Sequence, residues 1–100
     1  MIVFEAIATR KAIRANYNRG VVTLAPHILY TRNDSPHIDA VTIERDGQPP
    51  REEKLGTFKL DGLTDIALTE RTFDVSGLFD ADDPKYSDSM PFAVESGAPA

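Results

Sequence analysis

The chain has no cysteine and no tryptophan among its 100 residues, and it has only six glycines and seven prolines. Without cysteine it cannot form disulfide bonds, thiolate zinc sites or cysteine nucleophiles. No apolar run approaches the roughly 20 residues that span a bilayer. The N-terminal apolar run precedes its cations, whereas in a secretory signal the cations come first. We therefore predict a cytoplasmic protein, of bacterial type, that does not associate with membranes.

Composition and charge indicate one small globular domain. Hydrophobic residues make up 41% of the chain and charged residues 27%, which suffices for a modest core and favours a shallow groove over a deep active site. Residues 1–32 carry five cations against Glu5 alone, whereas residues 33–100 carry six cations against 15 acids. This overall acidity argues against non-specific nucleic-acid binding, but the basic first third allows a local anion site.

Periodicity predicts one short helix followed by strands. Apolar residues at positions 3, 4, 7 and 8 have helical spacing and predict a helix over residues 3–10. Alternating or β-branched segments predict strands at 12–17, 21–30, 38–44, 55–60 and 63–73, with a loop at 32–36. Pro26 is expected at an edge or a bulge. The fold class is therefore mainly β with a short N-terminal helix (α+β), either a small barrel or a strongly bent antiparallel sheet of about five strands.

The last quarter of the chain differs in composition from the rest. Residues 1–75 form the predicted domain, and residues 76–100 are acidic and contain proline and glycine. We expect this tail to be partly disordered or packed on the domain. The apolar residues that would hold it are Leu78, Phe79, Tyr86 and Phe92.

The order of the elements and several side chains resemble the WYL domain over residues 7–75. The matching features are Ala12-Ile13, Tyr17, Pro26 followed by Ile28, Leu29 and Tyr30, the strand from His37, Phe58-Lys59-Leu60-Asp61, and Phe73. The tripeptide that names the family is replaced by His37-Ile38-Asp39, and two of its arginines by Gly56 and Gly62. The resemblance implies an SH3/Sm-like barrel and a ligand-sensing, regulatory module for single-stranded nucleic acids or nucleotides. We expect it to act as a free-standing domain or through a partner.

The predicted ligand-binding residues are Arg14, Tyr17, Tyr30 and Lys59. Arg14 belongs to a group of cations with Arg10, Lys11 and Arg19 that could hold phosphate, and the two tyrosines could stack a base. Alternation places Lys59 on the face opposite Phe58 and Leu60, and the resemblance implies that it contacts an anion. The alternatives are a solvated polar surface for the first group and a surface ion pair for Lys59.

Other combinations of polar residues give weaker signals. They are the set Asp34, His37, Asp39 and His27 for a divalent ion, the string Ser35, His37 and Asp39 for a triad, and Asp80, Asp82 and Asp83 for calcium. None has the spacing or the accompanying residues that these sites need. We therefore predict no catalytic residue, no metal and no cofactor, with a small metal-dependent hydrolase as a minor alternative.

The predicted function is a non-enzymatic ligand-binding or regulatory module that recognises a nucleotide, a nucleic-acid end or another small anion. The alternative is a structural or protein-interaction domain acting as a homodimer. In that case an exposed strand edge and the apolar residues Leu78, Phe79 and Phe92 would pack onto a second copy.

Overall fold

A computed structural model of the protein describes residues 1–87 and 91–95. In these ranges it is mainly β, with one short N-terminal helix, which confirms the predicted fold class. The elements are α1 (Ile2–Thr9), β1 (Lys11–Tyr17), β2 (Gly20–Arg32), β3 (Ser35–Arg45), β4 (Leu55–Lys59), β5 (Thr64–Thr72) and β6 (Phe92–Ala93), with 3₁₀ turns at Leu60–Gly62 and Pro84–Tyr86. No helix in the described ranges has both the length and the apolar character needed to cross a membrane.

Helix α1 forms where the apolar spacing predicted it, but its buried face is shifted. Val3, Ala6 and Ile7 are buried, whereas Phe4 is 43% exposed. Arg10 ends the helix in the left-handed conformation, with φ of 54°, and its amide donates to the carbonyl of Ile7. A left-handed residue at this position commonly ends a helix, and here it turns the chain directly into β1.

Two tight turns connect the first three strands. Asn18 and Arg19 join β1 to β2, and Asn33 and Asp34 join β2 to β3, all with positive φ. Positive φ at both central residues matches the twist of a two-residue hairpin, and asparagine and aspartate tolerate it. The predicted loop at 32–36 is therefore wrong, because only positions 33 and 34 lie outside the strands.

The sheet is open, with strand order β4-β3-β2-β1-β5, and β6 pairs with β2 beyond the end of β1. All the strand pairs among the described residues are antiparallel. Of the two predicted architectures the closed barrel is wrong, because β4 and β5 remain the two edges of this path. The β2–β3 register shifts between Pro26 and Ile28, as expected for a proline at a bulge.

The two faces of the sheet have different coverings. The core face packs against α1, and its buried cluster comprises Val3, Ala6, Ile7, Ile13, Ala15, Val22, Leu24, Leu29, Ile38, Ala40, Leu63 and Val94. On the opposite face, which we call the outer face, Ile28 and Tyr30 form a smaller buried cluster with Tyr86. Within the predicted tail, residues 76–87 thus supply Tyr86 to a buried cluster, and residues 91–95 supply β6. The predictions for positions 88–90 and 96–100 lie outside the described residues.

Candidate functional site

Asp39 is the most enclosed charged residue in the described part of the chain. Strand β3 alternates, so that Ile38 and Ala40 enter the core while Asp39 lies on the outer face. Its exposure is nevertheless 0%, because Tyr86 and Lys85 from residues 74–87 lie over it. A carboxylate buried in this way is costly unless hydrogen bonds and an opposite charge compensate it.

The carboxylate of Asp39 receives four polar contacts. On Oδ1, Tyr30 Oη donates at 2.7 Å and Thr57 Oγ1 at 2.8 Å. On Oδ2, Tyr86 Oη donates at 2.5 Å, and Lys85 Nζ forms an ion pair at 2.8 Å. A carboxylate has about four lone-pair sites, so these partners saturate it. Strands β2, β3 and β4 and residues 74–87 therefore meet at the ionised side chain of Asp39.

These contacts stabilise the ionised form of Asp39 and the protonated forms of Tyr30 and Tyr86. Burial raises the pKa of Asp39, but hydrogen bonds from Lys85, Tyr86, Tyr30 and Thr57 outweigh it and hold the pKa below its usual value. Burial, followed by the bond to Asp39, raises the pKa of Tyr30 to about 12 and raises that of Tyr86 as well. Near neutral pH Asp39 is thus ionised and both phenols are protonated. This arrangement suits holding a structure together and not transferring protons.

His27 forms a second buried polar contact with the same segment. Its Nε2 accepts from the Ser76 amide at 2.9 Å, so its Nδ1 carries the proton and donates to the Ala25 carbonyl at 2.8 Å. The rings of Phe73 and Phe79 lie 5.1 and 5.3 Å from the imidazole. Burial lowers the pKa of His27, and both ring nitrogens have partners.

A row of side chains crosses the outer face near the β2–β3 turn. Tyr30 pairs with His37, and His37 pairs with Lys59. The rings of Tyr30 and His37 are 6.0 Å apart, and His37 Nδ1 donates to the Ser35 carbonyl at 2.9 Å. Arg32 follows Tyr30 by two positions on β2, so it shares this face. We call the exposed cations Arg32 and Lys59, together with His37 between them, the cationic corner.

The structure separates the four predicted ligand-binding residues. Arg14 is exposed on β1, while Tyr17, three positions on, packs against the core with its ring 5.2 Å from Phe58. Tyr30 is 4% exposed and has its hydroxyl on Asp39, so its ring presents no open surface to a base. Lys59 is exposed at the end of β4. Only Tyr30 and Lys59 lie in one row.

The weaker sets are also placed by the structure. Both nitrogens of His27 and both oxygens of Asp39 have protein partners. Residues 1–87 and 91–95 contain no group of three or more histidine, aspartate or glutamate side chains arranged to hold a metal ion. Asp80 and Asp83 accept backbone amides of Asp82 and Lys85 in short turns.

Sequence reasoning named Tyr86 among the residues that would hold the tail, but it missed Lys85 and the contact of both residues with Asp39. Lys85 and Tyr86 lie in the segment predicted as a tail, and the signal available for them was the apolar content of that segment, with Phe79 and Tyr86. Phe79 packs between the rings of His27 and Tyr86. The Nζ atom of Lys85 also lies 5.1 Å from the centroid of the Tyr86 ring.

Comparison of the chain with protein-family models, with curated proteins and with solved structures returns no match.

Proposed function

We propose that this protein is a non-enzymatic binding module that holds a small anionic group, such as the phosphate of a nucleotide or of a nucleic-acid end, at the cationic corner. The observation that carries the proposal is the register of β2, β3 and β4. It sets Lys59 beside His37 and His37 beside Tyr30 on one face, with Arg32 at the adjoining strand end. Arginine and lysine supply the donors and the charge that phosphate recognition needs.

The charges around the corner favour an anion. Four other cations in the described ranges form ion pairs, namely Lys11, Lys54, Arg71 and Lys85. Arg32 and Lys59 form none with the described residues, as is also true of Arg10, Arg14, Arg19, Arg45 and Arg51, and Asp34 in the adjoining turn pairs with neither. Asp39, which lies on the same face, is neutralised by Lys85 at 2.8 Å. The two exposed cations therefore retain their charge for a ligand.

The non-enzymatic part of the proposal is supported by the saturation of the buried polar groups. Asp39 has partners on both oxygens, and His27 has partners on both ring nitrogens. A general base needs a free acceptor within reach of the proton it removes. Neither residue offers one, so these groups fit a structural role.

The test is a titration of labelled oligothymidylate and of ATP at about 50 and 200 mM salt. Binding should weaken with salt, and Lys59→Ala and Arg32→Ala should each lower the slope of log affinity against log salt by about 0.7 for a single strand. Arg51→Ala is the matched control, since Arg51 is exposed in the loop at the opposite end of β3. Flat isotherms for both probes, or equal losses in all three variants, would overturn the proposal.

A second candidate function is self-association through apolar surface and strand edges. Phe4 and Phe92 form a ring pair at 5.0 Å while remaining 43% and 37% exposed, and Ile2 of the same helix is 40% exposed. The open sheet also leaves β4 and β5 as edges, which favour strand pairing between copies. Light scattering over a dilution series tests this: a dimer should dissociate on dilution and be weakened by Phe4→Ser, whereas a constant monomer mass contradicts it.

A further inference from the structure

Residues 74–87, which we call the strap, cross the outer face without joining the sheet. The strap follows β5 and contains no strand, only turns. Two buried polar anchors attach it. The first is the bond from the Ser76 amide to His27, and the second is the contact of Tyr86 and Lys85 with Asp39. The strap therefore closes over the outer face at two defined points.

The first anchor depends on a neutral imidazole. Nδ1 of His27 already donates to the Ala25 carbonyl, and Nε2 must accept from Ser76. A protonated imidazole is a donor at both nitrogens, so Nε2–H would face N–H of Ser76. The hydrogen bond would be replaced by repulsion between two N–H donors, Nε2–H of His27 and the Ser76 amide, in a site from which water is excluded.

The surroundings of His27 offer little compensation for a positive charge. Phe73 from the end of β5 and Phe79 from the strap cover the ring. Directly after β6, the amide of Val94 binds the backbone carbonyl of His27 and brings no charge to the ring. Among the described residues, the charged group that acts on the ring is Glu53 in the β3–β4 loop, which favours protonation more weakly than burial opposes it.

The second anchor responds to a different range of pH. Because its hydrogen bonds hold the pKa of Asp39 below the usual value, that carboxylate stays ionised in mild acid. Because burial lowers the pKa of His27, the stability it contributes is fully present above about pH 6.5 and is lost as pH falls from there through the folded value. Acid therefore begins to weaken the first anchor below about pH 6.5 and the second only below about pH 4.

Opening the strap removes only partly buried residues from the main core, because its Val75 and Phe79 pack against the edge of the core-face cluster. None of the fully buried members of the core-face cluster belongs to the strap. Its buried aromatic residue, Tyr86, packs in the separate cluster with Ile28 and Tyr30. Segments with few core contacts open below the global free energy of unfolding, so the sheet and α1 can persist while the strap detaches.

We infer that the strap is an acid-released cover of the outer face. It opens first at Ser76, where protonation of His27 abolishes the anchor, and uncovers the side of β2 around His27 and Ile28. Tyr86 stays on Asp39 until stronger acid. This inference is independent of ligand binding at the cationic corner.

The experiment is hydrogen exchange of the full chain by NMR at pH 7.5, 6.5 and 5.5, corrected for the intrinsic rate. The amides of Ser76 and Phe79, which bond to His27 and to the Ser76 carbonyl, should lose protection by up to about tenfold over this range, which corresponds to roughly 1.4 kcal/mol and is the limit for one proton. Amides in the centre of β3 should stay protected. Equal loss in the strap and the sheet would show global unfolding and overturn the inference.

The two histidines of the chain provide the variant and its control. His27→Gln should make the protection of Ser76 and Phe79 independent of pH, whereas His37→Gln should behave as the wild type. A pH dependence that survives His27→Gln, or disappears in His37→Gln, contradicts the inference. If His27→Gln does not fold, the wild type decides: protection of the strap amides must begin to fall near pH 6.5 and level off once the ring of His27 has titrated in the closed protein, and a fall that continues unchanged below that point refutes the coupling.

Discussion

Replacing Tyr86 by phenylalanine removes one hydroxyl from the buried contact with Asp39 and leaves the ring in place. Tyr86 is 2% exposed and donates to Oδ2 of Asp39, the oxygen that also binds Lys85. A hydrogen bond to a charged group contributes about 1.5–3 kcal/mol, so we expect the free energy of unfolding to fall by about 2 kcal/mol. For a domain of this size that loss lowers Tm by roughly 8–16 °C.

Urea unfolding followed by far-ultraviolet circular dichroism measures this loss, since the chain has no tryptophan. Tyr17→Phe is the matched control, because the Tyr17 ring packs on Phe58 and its hydroxyl has no hydrogen bond within the described residues. A cycle with Asp39→Asn isolates the contact, and the double variant should lose less than the sum of the single losses. Equal effects of Tyr86→Phe and Tyr17→Phe, or additive losses in the cycle, would refute the role assigned to Asp39.

Three further predictions follow from burial and charge. Because the pKa of Asp39 is lowered, the stability it contributes is present above about pH 4 and is lost as pH falls through the folded value, so acid unfolding curves should be shallower in Asp39→Asn. Because the pKa of Tyr30 is raised to about 12, the stability that Tyr30 contributes is present below the usual tyrosine value of about 10 and is lost between pH 10 and 12. Absorbance at 295 nm and circular dichroism, recorded together, should show that ionisation of Tyr30 coincides with unfolding. Ile7→Ala should cost about 2–5 kcal/mol in urea unfolding, while Ile2→Ala, at a 40% exposed position of the same helix, should cost far less; similar losses would contradict the assigned orientation of α1.

The positions of the elements follow from local sequence. β1 to β5 coincide with the alternating or β-branched segments within a few residues, and α1 lies where the apolar spacing placed it. Asn33 and Asp34 reach the positive φ that a two-residue turn needs, which a composition-based loop at 32–36 did not resolve. The register shift beside Pro26 likewise follows from its missing amide.

Part of the candidate site could also have been read from the spacing. Arg14 and Tyr17 are three positions apart on a predicted strand, so alternation places them on opposite faces and argues against a shared ligand. The same parity places His37 and Asp39 on one face, as observed. Strand alternation does not show whether that face is exposed to solvent. For this reason His37 and Asp39 could be considered as ligands of a metal ion from the sequence.

The sequence by itself determined the strands, their turns and which side chains share a face, because these depend on backbone geometry over a few residues. Only the tertiary structure decided which outer-face residues are covered. Asp39 and Tyr86 are separated by 47 positions, and His27 and Ser76 by 49. No local period connects such pairs, and their contact exists only because the chain after β5 returns across the sheet to compensate a buried charge and a buried imidazole.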